Sequence, residues 1–279
     1  MKSKKSTVSA LRGIVGVVAA VASASAMSAP VTQWGYEINS GFTSYIGTAG
    51  GQTGITGSHT NTVTNAPSLL SWGTDIGSGQ SSFSVGSATN GLFAGTLNTN
   101  AAPVNTVQVI HDNNPITGTT LRSAVLTDQI RLWGITPSGP DLIAGLIFNI
   151  NFLETPNSAP CTVNSPTPCN DIFVLDVVGA GFNPNNNTLN QNILYDGNWY
   201  DVMLHISGVS QLSAAACTAV LGAGNTSCYG FTTAENQRNV FQASLSISDV
   251  PYNVPEPGSL ALLGLGLFGL GALRRRNKA

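Results

Sequence analysis

Turn-forming residues recur so closely between residues 27 and about 105 that a helix longer than two turns has no room there. "QWGYEINSGFTSYIG" and "LLSWGTDIGSGQSSFSVGSATNGLF" place Gly, Ser, Thr or Asn every few positions, with aromatic residues scattered between. Each glycine or asparagine interrupts a helix but marks a natural end for a strand. The segment reads as short strands joined by turns, with a mobile stretch at "GTAGGQTGITGSHTNT".

Downstream, apolar residues fall on alternate positions, the period of a strand with one buried face. In "AGLIFNINFLET", Leu146, Phe148, Ile150 and Phe152 share one face, and Asn149 and Asn151 the other. "FQASLSISDV" alternates Phe241, Ala243, Leu245 and Ile247 with polar partners. "DIFVLDVVG" is almost continuously apolar, as expected of a central strand. In "NILYDGNWYDVMLHISG", Asp196-Gly197 suits a type I′ turn, and Tyr200, Val202, Leu204 and Ile206 form the apolar stripe beyond it, predicting a hairpin. Only "SQLSAAACTAVLG" reads as helix, and it is short. There is no internal repeat and no strand–helix alternation. The expected fold is all-β, an antiparallel β-sandwich of jelly-roll-like or Ig-like type. An N-terminal signal helix and a C-terminal transmembrane helix are expected to flank it.

Charge is distributed unevenly. Charged residues make up 9% of the 279, against roughly 25% in soluble domains. Eight of the 11 basic residues sit at the two ends: Lys2, Lys4, Lys5 and Arg12, then Arg274, Arg275, Arg276 and Lys278. From Glu37 to Asp249, Arg122, Arg131 and Arg238 stand against twelve acidic residues, a net of −9. An acidic body of this kind repels phosphate backbones and excludes nucleic-acid binding.

"MKSKKSTVSALR" followed by the apolar "GIVGVVAAVASA" has the layout of a signal peptide, and Ala24-Ser25-Ala26 offers small residues for cleavage before Met27. Residues 1–26 are therefore read as a signal peptide, residues 27–253 as the exported sandwich and residues 254–279 as a sorting and anchoring segment. Export makes disulfides plausible, and local pairing, Cys161–Cys169 and Cys217–Cys228, is the simplest of the three connectivities. Neither pair has the Cys-x2-Cys spacing of a zinc site, and no histidine is near in sequence.

The uncharged run Gly258–Leu273 is 16 residues long. As a helix it reaches about 24 Å at 1.5 Å per residue, slightly short of a hydrocarbon core of about 30 Å, which thinning or snorkelling flanks accommodate. Arg274, Arg275 and Arg276 would stay on the cytoplasmic side and leave the body outside. Upstream, Pro255 and Pro257 hold Val254-Pro255-Glu256-Pro257 extended, a shape a processing enzyme can grip. Pro-Glu-Pro, an apolar span and a terminal arginine cluster together resemble the PEP-CTERM sorting signal of Gram-negative bacteria. That resemblance implies recognition by exosortase, removal of the tail, and association with extracellular polysaccharide.

The body resembles the THxN family of PEP-CTERM proteins in four segments: "HDNNPITG", "NFLETPN", "CNDIFVL" and "SCYGFTTAEN". His111, Asn113, Asn114 and Pro115 would be its motif residues, with Ile110 standing where the family name places a threonine. The resemblance carries no activity.

Candidate chemistry is sparse. His205 reads as a solvated strand residue and His59 as a loop residue. In "IHDNNPITG" a rigid Asx-type turn is the economical reading, and His111 with Asp112 as ligands the sharper one. Glu154 and Asp171 stand as a possible acid–base pair for glycoside hydrolysis. "FNPNNNTLNQN" lacks the carboxylates of a calcium loop and reads as a polar surface loop. No Gly-x-Ser-x-Gly, phosphate loop or dinucleotide fingerprint occurs. No catalytic residue, cofactor or metal is expected. The reading is a non-enzymatic exported protein, processed by signal peptidase and exosortase, held in the bilayer by residues 258–273, then at the cell surface or in the matrix. The alternatives are a carbohydrate-binding module using Trp72, Trp133 or Trp199 as stacking platforms, and a secreted hydrolase.

Overall fold

The computed structural model describes residues 28–86, 91–176, 182–183 and 185–250. The signal segment 1–26, the apolar span 258–273 and the sorting residues Val254, Pro255, Glu256, Pro257, Arg274, Arg275 and Arg276 lie outside the described residues. No helix among the described residues is long and apolar enough to cross a membrane.

The chain begins with β1 (Gln33–Gly47), β2 (Ile55–Asn61), β3 (Ala66–Trp72), β4 (Thr74–Asp75), β5 (Ser81–Val85) and β6 (Leu92–Asn98). It continues through β7 (Val104–Asn113), β8 (Ile116–Thr117), β9 (Leu121–Thr136), β10 (Ser138–Leu153), β11 (Asp171–Asp176) and β12 (Phe182–Asn183). It closes with β13 (Thr188–Tyr195), β14 (Asn198–Ile206), β15 (Ser210–Gln211), α1 (Ala214–Leu221), β16 (Tyr229–Thr233) and β17 (Gln237–Asp249). One sheet has seven strands in the order β15-β16-β11-β10-β9-β1-β6; the other has eight, β12-β13-β14-β17-β7-β5-β3-β2. β4 and β8 form a two-stranded pair. The two large sheets are bigger than an immunoglobulin-like domain, which holds seven to nine strands in all.

Alternation dictates how the sheets meet. The inward residues of β10 (Phe148, Ile150, Phe152) and of β17 (Phe241, Ala243, Leu245, Ile247) are buried in one shared core. Rings from opposite sheets touch directly: Trp34 lies 4.9 Å from Tyr200, Phe42 5.4 Å from Phe83, and Phe231 4.0 Å from Phe241. Aromatic pairs at such separations add about 0.5–1.5 kcal/mol beyond their area burial. β11 is apolar on both faces because both are covered. Phe173 and Leu175 enter the main core, while Ile172 and Val174 pack under α1 with Ala216, Cys217 and Cys228. The β13–β14 hairpin turns at Asp196 (φ 46°) and Gly197 (φ 81°), both in the left-handed region that a type I′ turn needs.

Three segments differ from the sequence reading. The stretch read as mobile contributes β2, paired with β3 at the sheet edge, and His59 lies in that strand rather than a loop. The Asn-rich segment read as a surface loop forms β12 and the start of β13, turning at Asn187 (φ 54°). Asparagine tolerates positive φ, so a run of asparagines hid a tight turn. "IHDNN" was expected to be a turn, yet His111, Asp112 and Asn113 are the last residues of β7.

Asp128 breaks the apolar row of β9. It faces inward between Leu126 and Ile130, opposite Ser40 of β1, and is 4% exposed. Neither its Oδ1 nor Ser40 Oγ has a hydrogen-bond partner. Burial pushes the carboxyl up from 3.8 to about 6, and the Ser40 hydroxyl opposite restrains the rise without making a formed hydrogen bond. The folded state thus keeps a proton that the unfolded chain releases, and the stability present at low pH is lost as pH rises from 3.8 to about 6. Comparing urea unfolding of the protein with Asp128→Asn isolates this group. The variant is expected to gain relative stability across that interval, by up to about 3 kcal/mol at pH 7. A difference that stays constant with pH would contradict the assignment.

Candidate functional site

Several strands end at one end of the sandwich, and their terminal residues meet there. β3 supplies Trp72, β7 supplies His111 and Asn113, β11 opens with Asp171 and β16 closes with Thr233. Glu154 and Thr155 follow β10 directly, and Glu235 lies in the turn between β16 and β17. Strand pairing brings these ends together, with Asp171 opposite Thr233 and Leu153 opposite Ile172.

Three carboxylates gather at the centre. Glu154, Asp171 and Glu235 each present an oxygen, and these oxygens lie within 4.8 Å of one another. Asp171 is fully buried and Glu235 is 6% exposed. Glu154 Oε2 accepts from the Trp72 indole N–H at 3.4 Å, and Asp171 Oδ1 accepts from the Thr155 backbone N–H at 2.8 Å. Glu154 Oε1, Asp171 Oδ2 and both oxygens of Glu235 are buried without a partner. Burial raises the pKa of all three, most for Asp171, and mutual repulsion adds to the rise at Asp171 and Glu154. Like charges this close in a poorly solvated place resist ionising together.

The neighbouring polar groups are equally dry. Asn113 is fully buried, and its amide donates to the Thr233 carbonyl at 3.2 Å. That amide also lies beside the Glu235 carboxylate, where it favours the charged form, while its own Oδ1 has no partner. His111 is fully buried; its Nδ1 meets Thr233 Oγ1 at 2.9 Å, joining the two sheets. Its ring stacks on Trp72 (centroids 5.6 Å, 17°) and meets the edges of Phe173 (4.9 Å) and Phe152 (5.6 Å). Burial drops the imidazole pKa from 6.5 to about 3, so it is neutral at physiological pH and works as a core ring, bonded through Nδ1 and with Nε2 buried without a partner.

Local structure holds these groups in place. The Cys161–Cys169 disulfide closes the loop between β10 and β11, and Cys169 is buried two residues before Asp171. Thr155 Oγ1 fastens the same loop by donating to the Cys169 carbonyl at 3.0 Å. The Cys217–Cys228 disulfide ties α1 to the start of β16. Asn239 clamps the turn that carries Glu235, accepting from the Ala234 N–H and donating back to the Ala234 carbonyl, each at 3.0 Å.

The residues singled out in the sequence divide accordingly. Glu154 and Asp171 are brought together, and His111 and Asn113 join them. Asn114 does not; its amide donates to the Gln80 carbonyl at 2.9 Å and ties the chain after β7 to the approach of β5. Pro115 follows outside the strand. His111 and Asp112 do not act as a ligand pair, because successive strand residues point to opposite faces. Asp112 faces out and pairs with Arg238 at 3.0 Å. His205 lies on the outer face of its sheet, beside Met203 and Ser244.

The tryptophans do not form one platform. Trp72 is completely buried, which removes it as a stacking surface. Trp133 lies across Gly35, where an added Cβ would come within 2.1 Å of its ring, with Arg131 4.9 Å above it. Trp199 is 39% exposed, on a strand of the other sheet. Glu235 and Thr233 escaped the sequence reading as site residues, and Trp72 was read as a sugar-stacking surface rather than as the indole that caps Glu154. The available signal was that acidic residues follow or open several predicted strands, in a body without lysine.

Residues 253–276 match the family model of the PEP-CTERM protein-sorting motif. No curated protein matches the chain. The motif marks an exported protein that exosortase sorts to the cell surface.

Thr233→Val keeps the shape of the site but leaves His111 Nδ1 without its partner. An unsatisfied buried polar group costs about 1–3 kcal/mol. Urea denaturation is expected to show a loss of that size. A loss below about 0.5 kcal/mol, the range of an ordinary surface substitution, would mean the inter-sheet bond contributes nothing.

Proposed function

We propose that this is a non-catalytic protein of the cell envelope, whose β-sandwich is exported through the 1–26 segment and held outside the membrane by residues 258–273. Exosortase then cuts near Pro255-Glu256-Pro257, and the body passes to a polysaccharide-rich surface or matrix. The observation that carries this is the sorting motif and where it starts: the match opens at residue 253, while the last strand, β17, ends at Asp249. Cleavage there leaves every described strand and both disulfides in the released body. A place in the THxN family is compatible with this reading: the four segments that resemble that family meet around the carboxylate cluster.

The hydrolase alternative draws on the closeness of Glu154 and Asp171. A glycosidase needs its carboxyl groups on either side of an accessible sugar, whereas Asp171 is fully buried. The carbohydrate-module alternative draws on Trp133 and Trp199, which occupy different sheets and cannot stack one chain together.

Intact-mass analysis of the protein from its native host tests the proposal. A species starting at Met27 and ending near Pro257 is expected. Replacing Pro255, Glu256 and Pro257 together by alanine is expected to yield a membrane-fraction species that retains Arg276. A mass unchanged by that replacement would end the sorting account of this tail.

A further inference from the structure

The acids gathered at the end of the sandwich lack a side-chain cation. Between residues 13 and 273 the sequence holds no lysine and three arginines. Arg131 pairs with Asp141 at 2.7 Å, Arg238 pairs with Asp112 at 3.0 Å, and Arg122 is exposed. Four carboxylate oxygens at the cluster are nevertheless buried without a hydrogen bond. A buried polar group without a partner calls for an explanation, and a buried charge needs a counter-charge.

A second, independent feature faces the same place. Asn113 is uncharged and fully buried, its amide lies against Glu235, and its Oδ1 has no partner. That oxygen is an acceptor only, carried by the same amide that lies against Glu235, and a cation seated among the acids would satisfy it. Carboxylate and amide oxygens are the ligands of hard ions. The carboxylate oxygens lie within 4.8 Å of one another, close enough to share one ion. Mg2+ demands a near-ideal octahedron and gives up its waters reluctantly, whereas Ca2+ accepts an irregular set of oxygens. A dry cluster of carboxylates with an amide beside it suits Ca2+ better. That group contains neither a histidine nitrogen nor a sulfur, the usual donors to zinc.

The geometry points to a single Ca2+ site formed by Glu154, Asp171 and Glu235, with Asn113 Oδ1 as a neutral fourth ligand. The ion bridges both sheets, since Asn113 belongs to β7 of the eight-stranded sheet and the acids border β10, β11 and β16 of the other. It binds the loop closed by Cys161–Cys169 to the turn between β16 and β17. Its role is structural, because Asp171 and Asn113 admit no large substrate. An exported body meets calcium outside the cytoplasm, where extracellular modules bind at about 0.1–1 mM.

The test uses the full chain in detergent, stripped with EGTA and titrated with CaCl2 by calorimetry, with thermal melts in parallel. One Ca2+ per chain is expected. Saturation at about a hundred times Kd should raise the melting temperature by about 5–10 °C. Glu235→Gln keeps an oxygen for the Asn113 amide and should fold, yet it should weaken calcium binding about tenfold or more and erase the melting shift. Glu154→Gln keeps an oxygen for the Trp72 N–H and serves as the second variant, with the same expected loss. The proposal is overturned by absence of heat and melting shift up to about 10 mM CaCl2, well beyond the extracellular range. An undiminished shift in both variants, or an equal or larger response to MgCl2 or ZnCl2, overturns it equally.

Discussion

A body with three arginines and no lysine has almost nothing with which to neutralise an acid that it buries. Most of its twelve carboxylates avoid the difficulty by facing water or by pairing on the surface, as Asp112 and Asp141 do. Asp128, Glu154, Asp171 and Glu235 do not. Asp128 stands alone in an apolar row, where a proton is its simplest remedy. The other three converge, and convergence turns a liability into a place for a shared positive charge. The surrounding design follows from that choice: an imidazole kept neutral by aromatic rings, an amide aimed at the acids, and a disulfide that fixes the loop before Asp171.

How much of this was legible in the sequence depended on whether one element sufficed to reveal it. The alternation of β17 and the Asp196-Gly197 turn are local facts, and the structure contains both. The continuous apolar run of β11 was readable as a strand, but its second cover, α1 with Cys217 and Cys228, was not. The cluster is the opposite case. Each member is an ordinary strand-end residue, and only the pairing of β11 with β10 and β16, and the crossing of β7 over them, makes a site. Asx-turn chemistry also competed well for "HDNN". It lost because His111 and Asn113 had a dry interior to fill and Asp112 had Arg238 outside.

The tail and the body answer different questions. Residues 253–276 concern delivery and match a known sorting motif. The body's four separated segments concern a packed polar centre that delivery does not require. Nothing in the tail explains why Trp72 should cap Glu154 or why Thr233 should join His111. A surface protein must instead survive outside the cell without chaperones, and cross-links between sheets suit that demand.

The position of β17 carries a mechanical consequence. It is the strand from which the tail departs, and it lies in the interior of its sheet, hydrogen-bonded to β14 on one side and to β7 on the other. In the proposed membrane-held form, tension on the tail would enter the domain through a thirteen-residue strand held by β14 over residues 243–249 and by β7 over residues 237–245. Drag on such a body would load two ladders in shear, and would not reach the sheet through one of its edge strands, β12 or β2, which could unzip one bond at a time.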